Sequence, residues 1–345
     1  MKSRYSRQEL IRKIGSEGQK KISSGRVVII GCGASGTHIA SNLVRAGVGT
    51  VHIIDRDFIE THNLQRQLLF NEDDVKNGIP KAFAAKEHLR KINSEVNVTA
   101  EVADVNFTNI ENFISGFDVV VDGTDNFSIR YLINEACHKH SIPWIYGGGI
   151  STYGMSMTII PDETPCFACQ FPIQPPSEMI LTCDIAGVLS STIAVSASIQ
   201  AVEVLKLLIG KKDELNKKLF YFDVWNMNFN NFEVRKNEEC AVCVKKEYKI
   251  LTGDKSMSIT NLCGQDSVQI IDLGSPPPNF CLLEERLSRF AEVHTNKFML
   301  KFSLEGRNFT VFKDGRTIIH GLNDGTTAKT LYNRYIGGWI KKIKK

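Results

Sequence analysis

The sequence lacks an apolar run of bilayer length. Its best candidate, Ile185 to Ile209, is interrupted by several serines and by Gln200, Glu203 and Lys206, whereas a spanning helix needs about 20 predominantly apolar residues. The stretch reads as a buried helix, and no membrane partner is expected. A secretory signal is missing too, because MKSRYSRQEL has no apolar core behind its charges. Net charge is small. Lys and Arg total 42 against 38 Asp and Glu, and the +4 equals the four tail lysines Lys341, Lys342, Lys344 and Lys345. The body is therefore nearly neutral, which argues against nucleic acid as a partner. The tail reads as a solvated end. Repeats and low-complexity tracts are absent. Nine cysteines without an export signal suit a reducing, cytoplasmic compartment, where paired thiols bind metal more often than they form disulfides.

What is present organises itself simply. At 345 residues and 42% hydrophobic, the chain is expected to fold as one large domain and a small one. Residues 1–245 alternate strand and helix patterns. Strands are expected at Val27–Ile30, Val51–Asp55, Val96–Val102, Val119–Asp122 and Pro143–Tyr146. Helices are expected at Gly36–Ala46, Pro80–Ile92 and Phe127–His140. Such alternation implies an α/β fold, a Rossmann-like parallel sheet with helices on both faces. Gly154–Pro161 and Leu219–Arg235 read as strands without helices between them, so antiparallel members join the sheet. A long helix is expected at Asp184–Ile209. Residues 246–345 read as a small α+β domain, with helices at Leu282–Val293 and Thr326–Ile336. Its hairpins turn at Glu305–Asn308 and at Asp314–Gly315.

Gly31-Cys-Gly-Ala-Ser-Gly36 follows a strand and opens a helix, the setting that brings backbone N–H groups to phosphates. Asp55 ends the next strand, where an acid binds ribose hydroxyls. These features alone suit a dinucleotide-dependent oxidoreductase. The following residues change that reading. Asn63 and Arg66 lie just beyond Asp55, Lys81 follows in Gly78-Ile-Pro-Lys81, and Asp125 sits in Asp122-Gly-Thr-Asp-Asn126 at a strand's carboxyl end. Two cations, an amide and a carboxylate around a phosphate loop suit a triphosphate and its magnesium ion. Hydride transfer leaves Arg66, Lys81 and Asp125 without a task.

Cys166-x-x-Cys169 and Cys240-x-x-Cys243 are two metal-type half-sites. Four thiolates suit one structural tetrahedral zinc with no open position. Cys183 stands apart, after a proline-rich stretch and before the expected helix at Asp184. Its sequence setting fits a thiolate favoured by helix dipoles and a small buried residue equally well.

Several spaced motifs over residues 3 to 245 resemble the ThiF/MoeB/HesA adenylyltransferases, relatives of the ubiquitin-activating enzymes. They are RYSRQ at Arg4–Gln8, GCGASG, DRDFIETHNLQRQ, GIPKA, DGTDNF, the paired CxxC motifs and TCDIAGV at Thr182–Val188. The resemblance implies ATP-dependent activation of the C-terminal glycine of a ubiquitin-like sulfur carrier. The nucleotide would be held by Gly31, Gly33, Ala34, Gly36, Asp55, Asp57, Asn63, Arg66, Gln67, Lys81, Asp125 and Asn126. Asp55 would bind the ribose, Asn63, Arg66 and Lys81 the phosphates, and Asp125 the magnesium ion. Arg7 would reach the γ-phosphate of the opposite subunit, making the enzyme a homodimer. Cys183 matches a cysteine used in sulfur or acyl transfer. The implied carrier is a ThiS-type protein feeding thiazole and thiamine synthesis, or else a MoaD-type protein feeding molybdopterin, with a cysteine desulfurase as a further partner. An inactive binding subunit is disfavoured, since Arg7, Arg66, Lys81, Asp125 and Cys183 share one chain.

Overall fold

The computed structural model describes residues 3–174, 183–253, 257–262 and 266–337; the side chains of Cys183 and Asp184 and the basic tail lie outside the described residues. Two compact units divide the chain, Met1–Thr252 and Gly253–Lys345.

The first unit opens with α1 (Ser6–Glu9) and α2 (Gly15–Ser24), then alternates β1 (Arg26–Ile30), α3 (Ala34–Ala46), β2 (Thr50–Ile54), α4 (Glu72–Lys76), α5 (Lys81–Ile92), β3 (Asn97–Glu101), α6 (Ile110–Ile114), β4 (Val119–Asp122), α7 (Phe127–Lys139) and β5 (Trp144–Ile150). It continues through β6 (Tyr153–Ile159), α8 (Phe167–Gln170), α9 (Cys183–Ala186), α10 (Ser190–Ile209), β7 (Leu219–Asp223) and β8 (Asn228–Phe232). The eight strands form one sheet in the order β3-β2-β1-β4-β5-β6-β7-β8. Pairing is parallel from β3 to β5 and antiparallel from β5 to β8. This is the mixed Rossmann-like sheet that the alternation implies. Both faces are covered, as a parallel sheet requires. Val27 and Ile29 of β1 point into one core with Leu43 of α3 and Val204 of α10, while Val28 and Ile30 point into the other with Ile133 of α7.

Helix α10 is long and apolar enough to cross a membrane, yet half of it is buried inside the protein, packed on α3, β5 and β6. Its polar residues are hydrogen-bonded within that packing. Gln200 Nε2 donates to Asp122 O at 2.8 Å, and Glu203 Oε2 accepts from Thr158 Oγ1 at 2.7 Å. The expected helix Asp184–Ile209 is not continuous. Gly187 has φ +69°, and Ser151 N donates to Gly187 O at 2.8 Å while Leu189 N donates to Ser151 O at 3.0 Å. That strand-like bridge separates the four-residue α9 from α10. Cys183 therefore begins a single turn rather than preceding the long helix, and the expected long-helix dipole at its position is lost.

The second unit contains β9 (Met257–Leu262), β10 (Ser267–Asp272), α11 (Phe280–Leu287), β11 (Val293–Thr295), β12 (Met299–Leu304), β13 (Arg307–Phe312), β14 (Thr317–His320) and α12 (Gly325–Tyr332), continued by a π turn, Asn333–Gly337. The strands pair antiparallel in the order β11-β12-β13-β14-β10-β9. Both expected hairpins form; Glu305 and Gly306 take φ of +51° and +68° at the first turn, and Gly315 takes +91° at the second. The expected helix Leu282–Val293 ends early at Leu287, and Val293 pairs with Phe302 as the edge strand. Its helical spacing is overridden by the open edge of β12.

Candidate active site

The carboxyl ends of β1, β2 and β4 bring the nucleotide candidates together. Gly31 adopts φ +92°, and a Cβ there would lie 2.7 Å from Gly123 O. A Cβ on Gly36 would lie 2.0 Å from Gly31 O. Both glycines are therefore required by backbone packing between the β1–α3 loop and the end of β4. Gly31 N is consumed by the sheet, donating to Ile54 O at 2.8 Å, and the first α3 bond runs from Thr37 N to Gly33 O at 3.1 Å. The N–H groups of Ala34, Ser35 and Gly36 precede that bond and form the open positive end of the helix. Gly33 differs from its neighbours. A Cβ there would meet only Gln67 Nε2, at 4.0 Å, so the space above it is free for a ligand. Gln67 is buried, and its Oε1 has no partner. A free cradle and an unpaired buried acceptor side by side fit a bound nucleotide.

Asp55 is fixed on both carboxylate oxygens, accepting from Cys32 N at 2.5 Å and Asp57 N at 2.7 Å. Burial, and then the Asp57 carboxylate, push its pKa above the usual value against the pull of Lys81. Residues 57–59 run beside 79–81: Lys81 N donates to Asp57 O at 2.9 Å and Ile59 N to Ile79 O at 3.4 Å. This pairing sets Lys81 at the first turn of α5, after Pro80. Lys81 is buried, with Nζ 3.3 Å from Asp57 Oδ2. Burial disfavours its charge, but Asp57 and Asp55, with Asp125 behind them, outweigh burial and raise its pKa.

Asn63 ends the short helical segment Thr61–Asn63, and Arg66 lies in the turn that follows it. Asn63 is buried and caps that segment, its Oδ1 accepting from Glu60 N at 3.1 Å. Arg66 donates to His62 O at 2.9 Å. Asp125 is exposed and makes no hydrogen bond among the described residues. Asn126 caps α7, its Oδ1 accepting from Ser128 N at 2.8 Å and Ile129 N at 3.3 Å, so the side chain already has a structural task.

Arg130 did not emerge from the sequence. Its Nε donates to Asp122 Oδ2 at 2.8 Å, and its NH2 donates to Thr124 O at 2.7 Å and Gly147 O at 3.1 Å. Asp122 in turn accepts from Thr124 N and Thr124 Oγ1 through Oδ1, at 2.8 and 2.7 Å. Arg130 and Asp122 are both buried, so this pair fixes the turn that presents Asp125. The available signal was an arginine one turn into the helix that follows the Asp122–Asn126 motif.

Arg7 lies elsewhere. The segment around α1 docks where α3 and α5 end. Gln8 Nε2 donates to Ala46 O at 3.0 Å, Arg4 NH1 to Ile92 O at 3.2 Å, and a Cβ on Gly47 would lie 2.4 Å from Tyr5 Cζ. That is the amino edge of the sheet. The phosphate loop is at the other end of α3, about 20 Å away at 1.5 Å per residue. Arg7 is exposed there and does not join its own chain's cluster.

The four cysteines Cys166, Cys169, Cys240 and Cys243 converge, with every sulfur within 4.8 Å of the others. Neighbouring sulfurs are 3.8 Å (Cys166–Cys169), 3.6 Å (Cys166–Cys240) and 3.5 Å (Cys169–Cys243) apart. Asn237 N also donates to Cys169 Sγ, at 3.4 Å. Hydrogen bonds from Cys166 and then Cys243 draw the Cys169 pKa well below the usual thiol range. Four converging sulfurs fit a structural metal ion.

The chain is similar to known proteins over most of its length. The ThiS adenylyltransferase of Bacillus subtilis is 41% identical over 342 residues, which is 98% of this chain and 100% of that one. The SAMP-activating enzyme E1 of Haloferax volcanii is 38% identical over 240 residues, covering 70% of this chain and 88% of its own. Among solved structures, Escherichia coli MccB with ATP superposes with a TM-score of 0.61 at 27% identity, covering 70% of this chain and 74% of that one. The ThiF family model matches residues 5–242, and the chain belongs to the ThiF family.

Proposed function

We propose that this protein is an ATP-dependent adenylyltransferase that activates the C-terminal glycine of a ThiS-type sulfur carrier for sulfur transfer in thiazole and thiamine synthesis. The observation that carries the reading is the buried Lys81 ammonium among Asp57, Asp55 and Asp125, beside the open N-terminus of α3. Carrier carboxylate and ATP are both anions, so their approach needs fixed positive charge and alignment. Lys81, Arg66 and the α3 N–H groups supply the charge, and Asn63 and Gln67 supply amides. Asp55 receives the ribose hydroxyls. Asp125, which makes no hydrogen bond among the described residues, would hold the magnesium ion, whose charge would offset that of the phosphates. Asn126 holds α7 and thereby the turn carrying Asp125.

Arg7 supports a homodimer in which each nucleotide site is completed by the other copy, since its own site is a helix length away. Zinc suits the four cysteines: tetrahedral Zn–S bonds of about 2.3 Å place sulfurs ~3.8 Å apart. Its role is structural, tying the β6–α8 loop to the segment after β8. Cys183 is assigned the later transfer step. A cysteine desulfurase is the proposed sulfur source, and cysteines grouped as metal-type pairs support a reducing, cytoplasmic setting. Full-length similarity to a ThiS adenylyltransferase favours the ThiS-type carrier; a MoaD-type carrier would undergo the related reaction. ATP–pyrophosphate exchange with each carrier tests this. Exchange with a ThiS-type protein supports the reading, and exchange with only a MoaD-type protein overturns the thiamine assignment.

A further inference from the structure

Gln200 is a buried polar side chain that the nucleotide site leaves without a task. It stands in the middle of α10 and is fully buried. Its Nε2 lies between two strands, donating to Asp122 O at the end of β4 at 2.8 Å and to Ile145 O on β5 at 3.3 Å. A side-chain amide carries two N–H donors, and both are used here. Its Oε1 is buried without a partner. A bare buried acceptor is costly, so the two donated bonds decide which way the amide faces. Gly147 of β5 makes the room, because a Cβ there would lie 2.2 Å from Gln200 Cδ.

The amide sits where the two strands part. β4 and β5 pair at Val120–Trp144 and Val121–Ile145. β4 then ends at Asp122, while β5 runs on to Ile150 along β6. Arg130 spans the same gap from α7, on the other face of the sheet, its NH2 donating to Thr124 O at 2.7 Å and to Gly147 O at 3.1 Å. We propose that Gln200 is a positioning residue. With Arg130 on the opposite face, it pins the parted ends of β4 and β5, and so fixes the Asp122–Asn126 turn that presents Asp125. The Asp122 carboxylate holds that turn through Thr124 and Arg130; Gln200 holds the Asp122 carbonyl. Gln200 acts through Asp122 and touches no substrate. This role rests on the adenylation reading given above, in which Asp125 takes the magnesium ion.

Gln200→Leu keeps the bulk and removes both donors, and the test uses the full-length protein. Without any ligand, the backbone amides of residues 122–126 should lose hydrogen-exchange protection by about tenfold or more, while those of β2 and α5 keep theirs. A general loss of stability would not single out that turn. In ATP–pyrophosphate exchange with a ThiS-type carrier, kcat should fall by about ten- to a hundredfold, as for a misplaced group, with KM for ATP and for the carrier little changed. Gly147→Ala pushes the amide aside by another route, and the same two readouts apply to it where Gln200→Leu does not fold. The double variant Gly147→Ala, Gln200→Ala should lose less kcat than the two single changes added together, because both act through one contact. Wild-type protection of residues 122–126 or a wild-type kcat in Gln200→Leu, or additive losses in the double variant, overturns the proposal and leaves the adenylation reading standing. A wild-type chain without pyrophosphate exchange on either carrier type overturns that reading, and this role with it.

Discussion

Lys81 Nζ sits 3.3 Å from Asp57 Oδ2 in a buried position at the start of α5. The contact is an ion pair without a nucleotide. On the proposed reading, a phosphate group arriving at the α3 N-terminus would compete with Asp57 for the same ammonium. Replacing Lys81 by methionine keeps the stem and removes the charge. Pyrophosphate exchange should fall by at least about a hundredfold, as expected for loss of a preorganised charge at a developing anion; steady-state exchange kinetics read the effect.

Asp125→Ala should separate catalysis from folding. Asp125 is exposed and makes no hydrogen bond among the described residues, so stability should change by no more than about 0.5 kcal/mol. Exchange should be abolished. Denaturant unfolding beside an exchange assay gives both numbers.

Arg130→Met should do the opposite damage. Removing one member of a buried pair strands Asp122, at a cost of about 3–5 kcal/mol. The melting temperature should drop well below that of Asp125→Ala.

Much of this site was legible because its residues follow the local punctuation of the chain. Gly31, Gly36, Asp55, Lys81 and Asp125 each sit at a strand end or helix start, and such positions are marked by composition. Arg130 and Gln200 were not legible, because their partners are Asp122 and backbone carbonyls on neighbouring strands. Gln200 and Glu203 read in the sequence only as interruptions of an apolar helix; the fold makes them buried hydrogen-bonding residues. The break at Gly187 depends on pairing with Ser151, a tertiary contact that helical periodicity does not register. The same holds for β10, which pairs with β14, a strand distant in sequence.

Chelation should act on the fold. Losing a metal held at a thousandfold excess over its Kd removes about 4 kcal/mol of stability. Calorimetry before and after chelation should show that loss, with one zinc per chain by elemental analysis. Cys240→Ser should reproduce it.

Subunit mixing tests the placement of Arg7. Arg7→Ala and Asp125→Ala chains should each be inactive alone. Mixed and allowed to exchange, half of the dimers are hybrids with one complete site, so activity should return to about one quarter of wild type. No recovery would place Arg7 outside the neighbouring site.

Acid should weaken ATP use through Asp55. Its folded pKa lies above the usual carboxylate value because of burial and Asp57. As pH falls, Asp55 takes up its proton earlier than an ordinary aspartate, and on the proposed reading the carboxylate that would receive the ribose hydroxyls is lost. The sign for stability is opposite. A carboxyl with a raised folded pKa favours folding below its ordinary pKa, and that contribution disappears as pH rises through the folded value. The ligand-free protein should thus gain from Asp55 on mild acidification while kcat/KM for ATP declines, and a pH series of both quantities checks the pair of trends.

The most direct measurement is a crystal structure with magnesium and a non-hydrolysable ATP analogue. The phosphates should lie over Gly33 at the N-terminus of α3, with Lys81 Nζ moved from Asp57 to a phosphate oxygen and the metal on Asp125. Nucleotide bound elsewhere, with the Lys81–Asp57 contact unchanged, would contradict the account.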